Sequence, residues 1–217
     1  MFNNNDIIMV IERLITKSNS KCLVEMSDDY SVIISTDLVL EYKLHKGMQI
    51  EEDTLGSILS RQNNIDAKQT AYNYIAYKPR TESQVRSKLK EKLFPQDAID
   101  KSIEFLYEFK YLDDEKYAMD FVKSYLNLKG AGRIKLAMEL KKRGISKDHI
   151  SNAIQTHFPE DAAELTMTTA ISYLKKISYK TLEKQKSSLR NFLLRQGFEY
   201  NNINNTMNEI FENREQN

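Results

Sequence analysis

Residues 133–154, RIKLAMELKKRGISKDHISNAI, read as two short helices joined by a glycine stop. Leu136 and Leu140 are four apart and share one helical face. Gly144 follows the basic run Lys141-Lys142-Arg143. A glycine there can take the left-handed conformation that ends a helix, and Ile145 can then pack back on Leu140. Ser146 is placed to cap a second helix whose apolar face is Ile150, Ala153 and Ile154.

The same phrase occurs twice more. Upstream it is Val85, Leu89, Leu93-Phe94, Ile99 and Ile103; downstream it is Leu189, Leu193, Gly197-Phe198, Ile203 and Met207. Aligned on the stop position, every apolar residue falls in register, with 51 residues from Leu93 to Gly144 and 53 from Gly144 to Gly197. The first copy has leucine where the others have glycine. A side chain in that conformation costs roughly 1 kcal/mol, so the turn at Leu93 is expected to differ in shape.

The rest of each unit follows from start and stop signals. In the first, helices are expected at 66–77, 82–92 and 95–109. Pro79 ends the first, and Thr81-Glu82-Ser83-Gln84 forms a capping box for the second. Tyr111-Leu112-Asp113-Asp114 is a joint in which an aspartate caps a helix from Asp114 to Leu128. Lys129-Gly130-Ala131-Gly132 breaks that helix, and His157-Phe158-Pro159 closes the unit. The third unit has a helix from about Asp161, then Lys184–Gln196 and Glu199–Phe211, with a fraying polar tail from Glu212.

The N-terminal part is different. Short apolar runs at Ile7–Ile11, Cys22–Met26, Tyr30–Ile34 and Met48–Ile50 suggest strands, although Ile7–Ile15 also suits a helix. Ser27-Asp28-Asp29 is a hairpin turn, and Thr36 caps a helix Asp37–Leu44. A further helix through Leu55 and Ile58-Leu59 is expected to break at Asn63-Asn64. The fold class is therefore mainly α. A small α+β segment (1–62) precedes a tandem array of three three-helix, helix-turn-helix-like repeats at 66–111, 112–160 and 161–217.

Catalytic chemistry is not in evidence. His45, His149 and His157 fall in separate segments without metal-ligand spacing, so neither a metal nor a cofactor is expected. Lys129–Arg133 lacks the spacing of a phosphate loop, and Asp113-Asp114 is explained by helix capping. The single cysteine, Cys22, excludes an internal disulfide and suits a reducing compartment. The N-terminus lacks the signature of a secretory leader, and no run approaches the roughly 18 apolar residues that span a bilayer. A cytoplasmic protein is expected.

What remains is charge placed by repeat. Net charge is +1, but residues 1–66 carry 6 Lys+Arg against 11 Asp+Glu, and residues 67–217 carry 26 against 20. Basic residues outnumber acidic ones six to two from Lys78 to Lys92, seven to one from Lys129 to Lys147, and seven to one from Lys175 to Arg195. Each run surrounds the middle helix of its unit. Such a stripe suits a polyanion or an acidic protein surface, and it equally suits solvated helix faces. Arginine forks point to Arg80, Arg86, Arg133, Arg143, Arg190 and Arg195 as contact residues, with Lys88, Lys129, Lys135 and Lys142 beside them.

Four phrases in order carry a family resemblance. KPRTESQVRSKL (78–89), YLDDEKYAMDFV (111–122), KGAGRIKLAMELKKRGI (129–145) and LRNFLLRQGFEYNNI (189–203) resemble successive motifs of the RecX regulatory family; VIISTDLVLEYKLHKGMQI (32–50) is similar to its extra N-terminal region. Lys78, Thr81 and Leu93 depart from the pattern. The resemblance implies a monomeric bacterial modulator of the RecA recombinase, acting in DNA repair and the SOS response. Such a protein binds the groove of the RecA–single-stranded-DNA filament and blocks its growth, ATPase and strand exchange, with the basic middle helices meeting RecA, DNA or both. The alternative is a helix-turn-helix regulator that reads duplex DNA without RecA.

Overall fold

A computed structural model describes residues 8–215. Its first element is β1 (Ile8–Ser18), so the strand alternative holds for the N-terminal run and extends well past Ile11; Ile7 lies outside the described residues. Strands β2 (Lys21–Met26), β3 (Ser31–Ser35) and β4 (Gln49–Glu51) complete an antiparallel sheet in the order β3-β2-β1-β4. The hairpin turn places Asp28 and Asp29 at positive φ, which aspartate tolerates better than most residues. Helix α1 (Thr36–Glu41) is shorter than expected, and its cap is Ser35 rather than Thr36: the Ser35 hydroxyl accepts from the Asp37 N–H at 3.2 Å. Ile11, Val24, Ile34, Leu38 and Ile50 form the core of the sheet, closed by Leu55 and Ile58 of the next helix.

That helix, α2 (Glu52–Tyr77), corrects a second expectation. It runs unbroken through Asn63-Asn64. Buried Gln62 explains why the chain stays helical there. Its Oε1 accepts the Ser35 N–H at 2.6 Å, and its Nε2 donates to Asp66 Oδ2 at 2.8 Å. The sheet's backbone thus takes up the side chain from within the helix, and two asparagines of weak helix propensity are carried along. The α+β segment and the first repeat share one helix.

Eight more helices follow in register with the sequence pattern: α3 (Glu82–Glu91), α4 (Gln96–Glu108), α5 (Asp114–Lys129), α6 (Arg133–Lys142), α7 (Lys147–His157), α8 (Ala162–Lys176), α9 (Leu182–Arg195) and α10 (Tyr200–Glu215) come after α2 among the described residues. The chain divides into two compact units. One holds the residues up to Tyr77 with Arg86–Phe109; the other holds Lys78–Val85 with the residues from Lys110 on. In the first, α2 and α4 pack together, with Ala67, Ala71, Ile99, Ile103 and Leu106 buried. In the second, α5–α7 enclose Ala118, Val122, Leu136, Leu140, Ile150 and Ile154. There α8–α10 enclose Leu174, Leu189, Leu193, Phe198, Ile203 and Phe211, and Tyr173 stacks on Phe192 at 3.9 Å.

The three helix stops are built alike. Leu93, Gly144 and Gly197 sit at φ 62°, 78° and 75°. In each, the next residue's N–H reaches back five positions: Phe94 to Leu89 O (3.2 Å), Ile145 to Leu140 O (3.2 Å), Phe198 to Leu193 O (3.3 Å). The expected difference in the first turn is not there; leucine adopts the glycine conformation. Leu93 is 89% exposed, so no neighbour forbids its side chain and only the backbone cost remains. Leu93→Gly is expected to raise stability by up to about 1 kcal/mol, the left-handed cost less glycine's unfolded-state entropy, measured by urea unfolding.

The other two stops carry a load. Thr81, the cap of α3, donates its hydroxyl to Arg143 O at 2.6 Å, and Ser83 lies over Gly144. One repeat further on, the Gly132 N–H, at the cap of α6, donates to Gln196 O at 2.9 Å, and Gly132 and Lys135 lie over Gly197. Thr81 and Gly132 are 51 residues apart, and Arg143 and Gln196 are 53 apart, matching the spacing of the helix stops. So the first two middle helices, α3 and α6, each start against the helix stop of the following repeat.

Candidate interaction surface

The joint at Asp113-Asp114 serves two helices. Asp113 caps α5 by accepting the Lys116 N–H at 2.8 Å, as the sequence suggests. Asp114 turns to α3 and accepts the Glu82 N–H at 2.9 Å. The capping box is also present, with Thr81 and Gln84 exchanging two 3.3 Å bonds. Burial pushes the Asp114 carboxyl above its ordinary value of 3.8, against the pull of the Glu82 N–H. The folded chain then holds this proton more tightly than the unfolded chain. Its contribution to stability falls as pH rises from 3.8 to the raised value, and is flat above it. Asp114→Asn keeps an acceptor for Glu82 and should remove that falling limb, visible as the difference between the two chains in melting series from pH 3.8 upward.

The basic residues singled out from the sequence are more engaged than their counts suggest. At the C-cap of α6, Arg143 donates to Glu139 Oε2 at 2.8 Å and lies 4.6 Å over the Phe121 ring. Lys142 pairs with the same carboxylate at 3.4 Å. Hydrogen bonding from Arg143 holds the Glu139 carboxyl below its usual range. Arg133 stacks 4.3 Å over Phe158. Lys135 donates to Gln196 Oε1 at 2.7 Å and lies 6.0 Å from the Tyr125 ring. These four residues stand on different sides of α6, Arg133 facing α7 and Lys135 facing Gln196, and three of the cations lie against aromatic rings of α5 and of the α7 C-terminus. Lys142 projects furthest, with 66% of its side chain exposed.

The others lie apart from α6 or are held locally. Arg86 pairs with Asp100, whose carboxyl is lowered by that bond and by Gln96. Lys88 pairs with Glu91 at 2.9 Å. Arg190 donates to Asn204 Oδ1 at 3.1 Å. Arg195 is exposed at the end of α9, next in sequence to the Gln196 that receives Lys135. Arg80 is half-buried ahead of α3. Lys129 ends α5, and its side chain lies outside the described residues. The rings beneath the cations were not singled out from sequence, because only the fold brings α5 under α6. Glu139 was legible: it stands three and four residues before Lys142 and Arg143.

Among the described residues, no group of three or more His, Cys, Asp or Glu could hold a metal, and no helix is long and apolar enough to cross a membrane. The architecture is a tandem array of three-helix units behind a small α+β segment. Residues 67–106 match the family model described as RecX, first three-helix domain, and residues 113–154 match RecX, second three-helix domain. Regulatory protein RecX of Clostridium acetobutylicum is 29% identical over 90% of this chain and 92% of its own length. The Bacillus licheniformis protein of the same name is 28% identical over 85% of this chain and 70% of its own. A crystal structure of regulatory protein RecX superposes with a TM-score of 0.66 at 21% identity, covering 94% of this chain and 99% of the other. The chain thus carries the first and second three-helix domains of the RecX family and is similar over most of its length to regulatory proteins of that name.

Proposed function

We propose that the chain binds RecA assembled on single-stranded DNA, in the groove of the filament, and limits filament growth, ATP hydrolysis and strand exchange. It acts as a binding protein in DNA repair and the SOS response, in the cytoplasm, with no cofactor and as a monomer. The observation that supports this best is the charge around α6: Arg133, Lys135 and Lys142 stand on the middle helix of the middle repeat, and Arg143 is its C-cap. Basic middle helices recurring at 51 and 53 residues would supply several cationic contacts to a partner that is itself periodic, and multivalency raises avidity. An exposed ion pair such as Lys142–Glu139 contributes little to stability, so its cation can exchange partners cheaply. The four domains at 1–62, 66–111, 112–160 and 161–217 are the proposed units of contact.

Fluorescence polarisation separates this from duplex reading. Labelled RecA–single-strand filaments should be bound at physiological salt, and random duplexes without RecA only weakly, with a steep salt slope. Tight, sequence-dependent duplex binding in the absence of RecA would replace the filament with a duplex operator.

A further inference from the structure

The repeats share the backbone of their helix stops and differ at a pair of positions that faces between their second and third helices. In the first repeat, Arg86 on α3 is paired with Asp100 on α4. In the third, Arg190 on α9 is bonded to Asn204 on α10 at 3.1 Å. Counted by the repeat spacing, the same two positions in the middle repeat are Ala137 on α6 and Ser151 on α7. Two small residues cannot bridge the helices. A groove lies open there, of about 570 Å³, and both Ala137 and Ser151 line it.

The lining is amphipathic. Met138, Ile150 and Ile154 supply an apolar wall, and Arg133, Lys141 and Lys147 supply three cations; no acidic side chain lines the groove. Met138 is 54% exposed, and Ile134, one turn before it, is 52% exposed. The corresponding residues are Ser83 and Ser87 in the first repeat and Ser187 and Asn191 in the third. The middle repeat therefore joins an open groove to an outward apolar strip, where the other two repeats carry Ser83, Ser87, Ser187 and Asn191 at the strip positions.

We propose that this groove is a docking site for an acidic segment of a partner protein, with a bulky apolar side chain seated on Met138, Ile150 and Ile154. Carboxylates on either side of that anchor pair with Arg133, Lys141 and Lys147. The apolar wall favours a protein segment over a nucleic-acid backbone, which would engage the cations and leave the wall wet. The groove and the filament surface share Arg133, but the site stands without the filament and is tested in its absence.

The probe is a fluorescein-labelled peptide of about twelve residues, with Leu and Phe set among Asp and Glu at helical spacing. It should bind the full chain and shift the Met138 methyl resonance in a spectrum of ¹³C-methyl-methionine protein. The same peptide with Ala for Leu and Phe should bind about tenfold more weakly or worse, and so should the double variant Ala137→Arg/Ser151→Asp, which rebuilds the first repeat's bridge without changing net charge. Equal binding by the Ala peptide or by a soundly folded double variant overturns the proposal. So does an oligothymidylate that moves Met138 as effectively as the acidic peptide, which would make the groove a nucleic-acid site. If the double variant does not fold, the two peptides on the natural chain still decide it. Because RecA is absent throughout, failure here leaves the filament proposal to its own test.

Discussion

Gly132→Ala is expected to destabilise the chain by about 3 kcal/mol and to lower its melting temperature by roughly 10 °C. Gly132 has ordinary helix-cap dihedrals, φ −75° and ψ 163°, so an alanine backbone is not strained there. The cost is spatial. A Cβ at this position would overlap the Gly197 carbonyl and the Phe198 amide nitrogen. Both are backbone, fixed in a helix stop whose hydrogen bonds run from Gly197 to Leu194 and from Phe198 to Leu193. Relief means moving α6 off the third repeat and losing the Gly132 N–H to Gln196 bond. Gly56 is the control. It lies inside α2, and a Cβ there meets nothing within 4 Å. Gly56→Ala should raise stability by about 0.5–1 kcal/mol, the helix-propensity gain alone. Denaturant unfolding of the two variants checks both signs; equal and small effects would mean that the repeats do not pack through these stops.

The second large effect concerns binding. Arg133→Gln/Lys135→Gln/Lys142→Gln should weaken binding to RecA–single-strand filaments by about a hundredfold at physiological salt, roughly 1 kcal/mol for each charge removed. Glutamine is chosen because two of the three also pack: Arg133 covers Phe158, and Lys135 holds Gln196. An alanine series would mix lost packing with lost charge. The triple variant therefore needs its own melting curve, expected within about 2 kcal/mol of the natural chain. Arg195→Gln, exposed and added to the triple, should deepen the loss without further destabilisation. Unchanged filament affinity in a folded triple variant would remove α6 from the interface.

The repeat was legible because it is written in apolar spacing. Leu136, Leu140, Ile150 and Ile154 and their counterparts are all buried where the period requires. The stops were legible from Gly144 and Gly197, and the capping box from Thr81 and Gln84. What escaped was non-local. Nothing in the local pattern says that Gln62 will bond to Ser35 across 27 residues, so the asparagine pair looked like a break. Nothing local says why Leu93 replaces glycine. The fold answers that: Gly144 and Gly197 lie beneath Ser83, Gly132 and Lys135, whereas Leu93 is open to solvent. The candidate surface was legible as charge but not as geometry. Counting cations could not show that Arg86 and Arg190 bridge to the next helix while Ala137 lines an open groove, because that comparison needs the partners on α4, α10 and α7.

The most direct test of regulation is the single-stranded-DNA-dependent ATPase of the cognate RecA, with this protein titrated in well below one per RecA. Strong inhibition is expected at that ratio, because a groove-bound or end-bound protein limits many protomers at once. Unchanged hydrolysis even at equal concentration would contradict it and leave the duplex-binding alternative standing.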